Sequence, residues 1–442
     1  MIISQLTDIK YSTILKVSAP TILSSISSGI MSMLDVLVLA KYSTVAMTGV
    51  ASASTWCYAF QCATIALLLI TGSLVGHYNG ACKYKFAGMP VWQMIWFSLS
   101  LFAISIPLSQ VISPYCVPDR LHEYGIPYLK IVMGLSPVFC IKFAISSFLI
   151  SIGKGFIVLL SSFIAIIVNT TLDILLILYC EYGTTGAAIG TIIAGLIEII
   201  FLSCFFFSRN IRKKYGTLNC KLRLTKLLSY LKLGVFASIG NIIEQVIFSS
   251  IYYVLANSSH NNALTQTIAS NVWRFLVCLG SGFEKGIIAL TANLLGADLR
   301  YKVDTLFKRS VNIHLMFIIL LFTFILCCPN LIIMNFVDIN AISPETYQHL
   351  LNVLKLVATC SIFDGIVWIE AGIFVAGGDM NYMMPIIALC LSTFMAIPIF
   401  FIMNPSNLSV ERMWMLYALA DMSCGLILLH RYKTNKWIKI KV

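Results

Sequence analysis

Apolar runs of about 20 residues recur along almost the whole chain, and each is long enough to cross about 30 Å of hydrocarbon at 1.5 Å per residue. A transmembrane barrel would instead show alternating segments of about ten residues. Of the 442 residues, 59% are hydrophobic and 11% are charged, which excludes a soluble globular chain. We therefore predict an all-α polytopic membrane protein.

A hydropathy window of about 19 residues predicts twelve membrane spans. The spans cover residues 14–38, 47–72, 91–113, 127–150, 156–179, 185–207, 233–256, 265–290, 311–334, 348–375, 383–403 and 413–430. With both termini cytoplasmic, the cytoplasmic segments and adjoining span ends hold 22 of the 30 Lys and Arg residues, and the external segments and span ends hold only Lys41, Arg120, Lys130 and Arg412. The positive-inside rule therefore predicts this orientation. Contact with anionic lipid explains the net charge of +12, so no nucleic-acid partner is expected.

The chain resembles itself at an offset of 216 residues. Leu15-Lys16-Val17 recurs as Leu231-Lys232-Leu233, and Gly80-Ala81 recurs as Gly296-Ala297. The strongly basic segment 208–232 lies near the midpoint. We predict two six-helix bundles, residues 1–207 and 233–442, joined by a cytoplasmic basic linker, residues 208–232. A pseudo-two-fold axis along the membrane normal would relate the bundles.

Several polar residues lie inside the predicted spans of the first half, where a charge costs at least about 2.5–3.5 kcal/mol. Asp35, Asn169, Asp173 and Thr191 all fall within about 15 Å of the outer ends of their spans. Asn169 and Asp173 are four residues apart and share a helix face. This set of oxygen atoms suits Na⁺, or a proton shared between two carboxyl groups. A structural hydrogen-bond network between helices is the alternative.

In the second half, Glu244 and Asp364 fall near the middle of the membrane and form a candidate acidic site for a cation or a proton. Arg274 could instead neutralise one of the two carboxylates. Five other charges are interpreted as snorkelling side chains or structural ion pairs: Lys142, Glu198, Lys285, Lys355 and Asp421.

Two features of the backbone also stand out. Pro20 lies inside the first span and predicts a bend or hinge there. Gly72, Gly76 and Gly80 form a ladder of small residues that favours close helix packing.

The sequence contains no phosphate-binding loop, no Gly-x-Ser-x-Gly and no His-Glu-x-x-His. The 14 cysteines lie singly in apolar runs, which argues against a zinc site or a disulfide framework. We therefore expect neither an enzyme nor a resident cofactor, and expect any work to be driven by an ion gradient.

Several segments resemble the multidrug and toxic compound extrusion (MATE) family, within the multidrug, oligosaccharidyl-lipid and polysaccharide exporter (MOP) superfamily. The resemblance covers the whole chain and rests on residues 33–40, 76–81, 169–173, 186–191, 363–364 and 377–379, with Glu244 at the family's seventh-span acidic position. Ser146 stands where some members have an Asn, and the charges Arg274, Glu284 and Lys285 depart from the family pattern.

The resemblance implies a V-shaped pair of six-helix bundles that exports amphipathic, often cationic compounds in exchange for Na⁺ or H⁺. It implies a cation or proton site at Asp35, Asn169, Asp173 and Thr191, and a bend at Pro20. It also implies a second acidic site at Glu244 and Asp364. The expected partners are an organic cation or amphipathic drug, the coupling cation and membrane lipid. A flippase for a lipid-linked oligosaccharide or peptidoglycan precursor is the alternative function, and a bacterial inner membrane is the expected location.

Overall fold

The computed structural model describes residues 8–258, 260–334, 343–402 and 408–440, and these residues form helices and short connections without strands. We number the membrane helices α1 to α12. Their bounds are α1 Tyr11–Tyr42, α2 Thr44–Gly80, α3 Tyr84–Cys116, α4 Asp119–Gly134 with Pro137–Ser151, α5 Gly155–Tyr179, α6 Gly183–Phe206, α7 Leu224–Ser258, α8 His260–Gly296, α9 Arg300–Cys327, α10 Pro344–Gly377, α11 Met380–Phe401 and α12 Val410–Lys433.

Eleven of these helices are individually long and apolar enough to cross a membrane within the described ranges, and the two segments of α4 make the twelfth span. The prediction of an all-α membrane protein with twelve spans is confirmed. The chain is a multi-pass integral membrane protein.

The fourth span differs from its prediction, because α4 is broken and bends by 42° between its two segments. Gly134 ends the first segment and Pro137 begins the second at a helical N-terminal position, where its missing N–H costs nothing. The ninth helix also lies earlier in the sequence than the predicted span 311–334. α9 ends at Cys327, and Pro329 begins a separate short helix, Pro329–Ile333.

α5 changes its winding near its outer end. The α-helical part ends at Asp173, and a π-helical stretch follows from Ile174 to Tyr179. A π turn holds an extra residue, and such turns occur frequently at functional sites. Asp173 therefore lies at a change of helical register.

The two halves pack closely where α2 meets α8. A Cβ atom placed on Gly80 would lie 2.9 Å from the carbonyl carbon of Asn293, and one placed on Gly296 would lie 2.9 Å from that of His77. Gly80 and Gly296 are 216 residues apart, and so are His77 and Asn293. The contact is thus reciprocal, which supports the predicted two-fold relation of the halves. It also requires glycine, because no side chain fits between the two backbones.

Polar side chains reinforce the same contact. The amide of Asn79 donates to Oδ1 of Asn293 at 2.6 Å, and Asn293 donates to the carbonyl of Ser151 at 2.9 Å. The Tyr215 hydroxyl donates to Asn79 at 3.1 Å. In the predicted orientation this end of α2 and α8 faces the cytoplasm, so the halves are joined there.

The basic linker is docked on α3. It begins with the short helix Arg209–Tyr215. Trp92 and Trp96 donate from their indole nitrogens to the carbonyls of Thr217 and Cys220 at 2.7 and 2.8 Å. Gln93 donates to the Lys221 carbonyl at 3.0 Å and accepts from the Arg223 N–H at 2.8 Å. Its backbone therefore follows the surface of the first half.

Candidate functional site

The predicted site of the first half brings two carboxyl groups together. Asp35 lies on α1 and Asp173 at the end of the α-helical part of α5, and the two side chains are within hydrogen-bonding reach of each other. Asp173 is fully buried, and neither of its oxygens has a hydrogen-bond donor among the described residues. Two carboxylates this close cannot both stay ionised without a cation between them.

α6 contributes its backbone to this site. A Cβ atom on Gly190 would lie 2.5 Å from Oδ1 of Asp173, so any larger residue at this position would displace the carboxyl group. The neighbouring Thr191 is 8% exposed and donates its hydroxyl to the Ala187 carbonyl at 2.9 Å, which leaves lone pairs on Oγ1.

Asn169 lies one turn before Asp173 on the same face of α5. It is fully buried, and neither its amide nitrogen nor its amide oxygen has a partner among the described residues. Buried polar groups are normally hydrogen-bonded, so the orphaned atoms on both residues leave donors and acceptors available to a ligand or to water.

The chemistry of these side chains fits a monovalent cation. Asp35, Asn169, Asp173 and Thr191 offer only oxygen ligands, which hard cations prefer. The described residues contain no group of three or more His, Cys, Asp or Glu side chains suited to a metal ion. Two carboxyl groups that lie close together can alternatively hold a shared proton. The assignment of Na⁺ or H⁺ to these residues stays a prediction.

Tyr128 of α4 belongs to the surroundings of this site and was missed in the sequence. It is 7% exposed, within electrostatic range of both carboxyl groups, and within hydrogen-bonding reach of Ser54 of α2. Aromatic residues in membrane spans more often pack against neighbouring helices than take part in function. Tyr128 therefore becomes a candidate only through its position beside Asp35 and Asp173.

The second predicted site combines Asp364 of α10 with two aromatic donors. Trp368 donates from Nε1 to Oδ2 at 3.1 Å, and the hydroxyl of Tyr417 in α12 donates to Oδ1 at 3.2 Å. Glu244 of α7 is within electrostatic range of Asp364. Glu244 is also within range of Tyr58 in α2, which places it at the border of the two halves.

Arg274 does not neutralise these carboxyl groups. Its side chain is exposed, and among the described residues it forms no ion pair with Glu244 or Asp364. The predicted alternative of an arginine counter-ion is therefore wrong for this conformation. Tyr417 and Trp368 provide the hydrogen bonds instead.

One expected ion pair is confirmed. Lys142 of α4 pairs with Glu198 of α6 at 3.1 Å, and Ser161 and Ser162 donate to the same carboxylate at 3.2 and 3.3 Å. Lys285 of α8 reaches across the border of the halves and donates to Ser25 at 3.1 Å.

The same interpretation is wrong for Asp421, which is 8% exposed and forms no ion pair within the described ranges. Its carboxyl group lies beside Tyr417 instead. Lys355 is exposed, as expected for a snorkelling side chain.

Pro20 lies within a continuous helix, since α1 runs from Tyr11 to Tyr42 through it. The next residue, Thr21, donates its hydroxyl to the Ser18 carbonyl at 2.8 Å and to the Gly282 carbonyl of α8 at 2.6 Å. α1 is thus anchored to the second half next to the proline. A hinge at Pro20 stays a prediction.

These features define a polytopic helical membrane protein with paired halves and orphaned carboxyl groups in its interior. The MatE family model matches residues 20–175. Among curated relatives, the multidrug export protein MepA of Staphylococcus haemolyticus is 23% identical over 339 residues, covering 75% of this chain and 73% of MepA. MepA of Staphylococcus aureus is 22% identical over 305 residues, covering 68% and 64%.

Solved structures share the fold at lower sequence identity. A structure described as the outward-facing conformation of a multidrug resistance MATE family transporter of the MOP superfamily superposes with a TM-score of 0.82 at 15% identity, over 96% of both chains. A MATE structure in complex with MaD3S gives 0.84 at 14% identity, over 98% of both chains. The chain is thus similar in sequence to the MatE family over residues 20–175, and shares the fold of MATE transporters over nearly its whole length.

Proposed function

We propose that the chain is a secondary multidrug efflux transporter, which exports amphipathic, often cationic organic compounds in exchange for Na⁺ or H⁺ by alternating access. Its MATE fold and its MepA relatives support the class of activity. The observation that carries the proposal is the contact of Asp35 with Asp173, two carboxyl groups on different membrane helices. A cation or a proton between them can change how α1 packs on α5.

The ion performs work only if it binds more tightly to one conformation than to the other. In this conformation α2 and α8 join the halves at the end that the predicted topology places in the cytoplasm. The site at Asp35 and Asp173 would then load from outside. At 100 mV, one inward charge supplies about 2.3 kcal/mol, enough for roughly a fiftyfold gradient of a neutral substrate. ATP is not needed on this scale.

A flippase for a lipid-linked precursor is not favoured. Such a protein needs clustered basic side chains for a pyrophosphate group. Arg274 and Lys285 are eleven residues apart on α8, a rise of about 16 Å, and Lys285 is bonded to Ser25. We place the transporter in a bacterial cytoplasmic membrane with both termini inside, in agreement with its Staphylococcus relatives.

The test uses purified protein in liposomes loaded with a fluorescent organic cation, with a Na⁺ gradient and a pH gradient imposed separately. We expect efflux under one gradient, strongly reduced efflux in Asp35→Asn, and normal efflux in Asp119→Asn, because Asp119 is fully exposed at the first residue of α4. Full efflux in Asp35→Asn would refute the site. No efflux under either gradient would refute the antiporter.

A further inference from the structure

Lys285 of α8 is a cation that the proposed function does not use. It crosses from the second half into the first, where its ammonium group donates to Oγ of Ser25 at 3.1 Å. Its side chain is half-buried, and it forms no ion pair within the described ranges. An ammonium group has three N–H donors, so two donors remain after the bond to Ser25.

The nearby carboxyl groups do not balance this charge by direct contact. Glu198 of α6 is within electrostatic range of Lys285. However, its carboxylate already accepts from Lys142 at 3.1 Å and from two serine hydroxyls of α5 at 3.2 and 3.3 Å. Glu284, the preceding residue on α8, is also within electrostatic range but forms no ion pair with Lys285 among the described residues. Lys285 is therefore free to contact an anion from outside the chain.

A second ammonium group lies near the first. Lys142 of α4 is 26% exposed and within electrostatic range of Lys285, on the other side of the border between the halves. Like charges repel more strongly where protein replaces part of the surrounding water. An anionic group between them would be attracted by both, and a charge-assisted hydrogen bond to an ammonium group is stronger than a neutral one.

The surroundings of Lys285 suit an amphipathic molecule. A hollow between α2, α4 and α8 lies beside Lys285 and is lined by the apolar side chains of Leu69, Phe143 and Ile288 and by Ser147. Apolar walls with a few polar groups are typical of ligand sites. The hollow has a volume of about 10 Å³, the space of one water molecule. It can therefore take one oxygen atom of an anionic group, while the apolar part of the molecule stays between the halves.

We propose that Lys285 binds the anionic group, a carboxylate or a sulfonate, of an amphipathic compound that lies between the halves, with Lys142 adding a second attraction. One unpaired ammonium group suits a singly charged acid. The substrates then include amphipathic acids as well as cations. This inference deepens the proposed function and rests on it for the role of binding in export.

Fluorescence polarisation with the purified full chain in a neutral detergent tests binding without a gradient. The probes are rhodamine B, which carries a free carboxylate, and its methyl ester, which has the same rings without that charge. Lys285→Gln should weaken binding of the acid about tenfold, the loss of one charge-assisted hydrogen bond, and leave binding of the ester within about twofold. Lys285→Arg keeps the charge and should keep most of the affinity for the acid.

The exposed Lys154, in the connection between α4 and α5, supplies the matched control, and Lys154→Gln should change neither affinity. An equal loss for acid and ester in Lys285→Gln would overturn the proposal, and so would unchanged binding of the acid or no binding of the acid to the unaltered protein.

If Lys285→Gln does not fold, competition in the unaltered protein decides. Naphthoate should displace the bound rhodamine acid, and the methyl ester of naphthoate should not. Equal displacement by the two compounds would overturn the proposal. A failed efflux assay refutes the transporter and leaves this result standing, since binding requires no ion gradient.

Discussion

Asn79 of α2 and Asn293 of α8 are joined by a hydrogen bond of 2.6 Å that connects the first half of the chain to the second. On either side of this bond the two helices meet backbone to backbone at Gly80 and Gly296. The junction therefore depends on the absence of side chains as much as on the bond itself.

Gly80→Ala should weaken this junction. Its new Cβ would meet the backbone of Asn293, which cannot rotate away, so we expect a loss of about 1–3 kcal/mol and a lower midpoint of thermal unfolding. Gly72→Ala is the matched control, two turns away in α2. There the nearest atom is Ser151 Oγ at 3.5 Å, and the better helix propensity of alanine should leave stability unchanged or raise it by up to about 1 kcal/mol. Equal destabilisation in both variants would contradict the contact.

Asp35→Asn and Asp173→Asn should not have additive effects. Because the two carboxyl groups are in contact, each single change removes the same bound ion. We expect the double variant to be no slower in efflux than the slower single variant, with a coupling energy of about 0.5–3 kcal/mol. Initial efflux rates of the four proteins measure it. Asp35→Asn combined with Asp119→Asn should be additive, and additivity in the first pair would place the carboxyl groups in separate roles.

Lys142→Met should destabilise the protein because it leaves the buried Glu198 without its cation. The expected loss lies at the lower end of about 3–5 kcal/mol, since Lys142 is 26% exposed and Ser161 and Ser162 still donate to the carboxylate. Thermal unfolding in detergent measures it. Adding Glu198→Leu should restore most of the stability, and a double variant less stable than Lys142→Met would show that the pair does more than balance charge.

Trp437→Ala should destabilise the cytoplasmic end of the second half. Trp437 is 1% exposed, stacks on Tyr432 at 5.7 Å, and lies against Gly377 at the end of α10. Removing it should cost about 3–5 kcal/mol in the free energy of unfolding. Trp437→Phe should cost less than about 1.5 kcal/mol, because Nε1 has no partner among the described residues. An unaltered unfolding midpoint in Trp437→Ala would mean that the segment is not docked in solution.

The helical spans could be predicted because the hydrocarbon thickness sets their length and their apolar composition distinguishes them from the connecting segments. Their ends were less accurate, since α2 and α8 continue as helices beyond the apolar window. The break in α4 was missed because Gly134 and Pro137 lie inside a run that is apolar on both sides. Hydropathy reports how much of a span is apolar, and a bend leaves that unchanged.

The carboxyl groups of the candidate site could also be found, because a charge in an apolar run is costly and therefore conspicuous. The side chains that contact these carboxyl groups could not be predicted. Whether Glu198 meets Lys142 and Asp421 meets Tyr417 depends on the rotation of each helix about its axis, which packing of the whole bundle decides. Tyr128 and Tyr417 give no signal of their own, as aromatic residues are common in membrane helices.

The docking of the linker on α3 determines where the chain can bend between its halves. Because Trp92, Gln93 and Trp96 hold its backbone from Thr217 to Arg223, this segment moves with the first half and is not a slack tether. α7 begins at the next residue, Leu224. α7 also lies against the first half at Gly234, where a Cβ atom would meet the Leu67 carbonyl oxygen of α2 at 2.7 Å. Along the covalent chain, the linker therefore leaves no slack, and a swing of the second half against the first has to be taken up within α7.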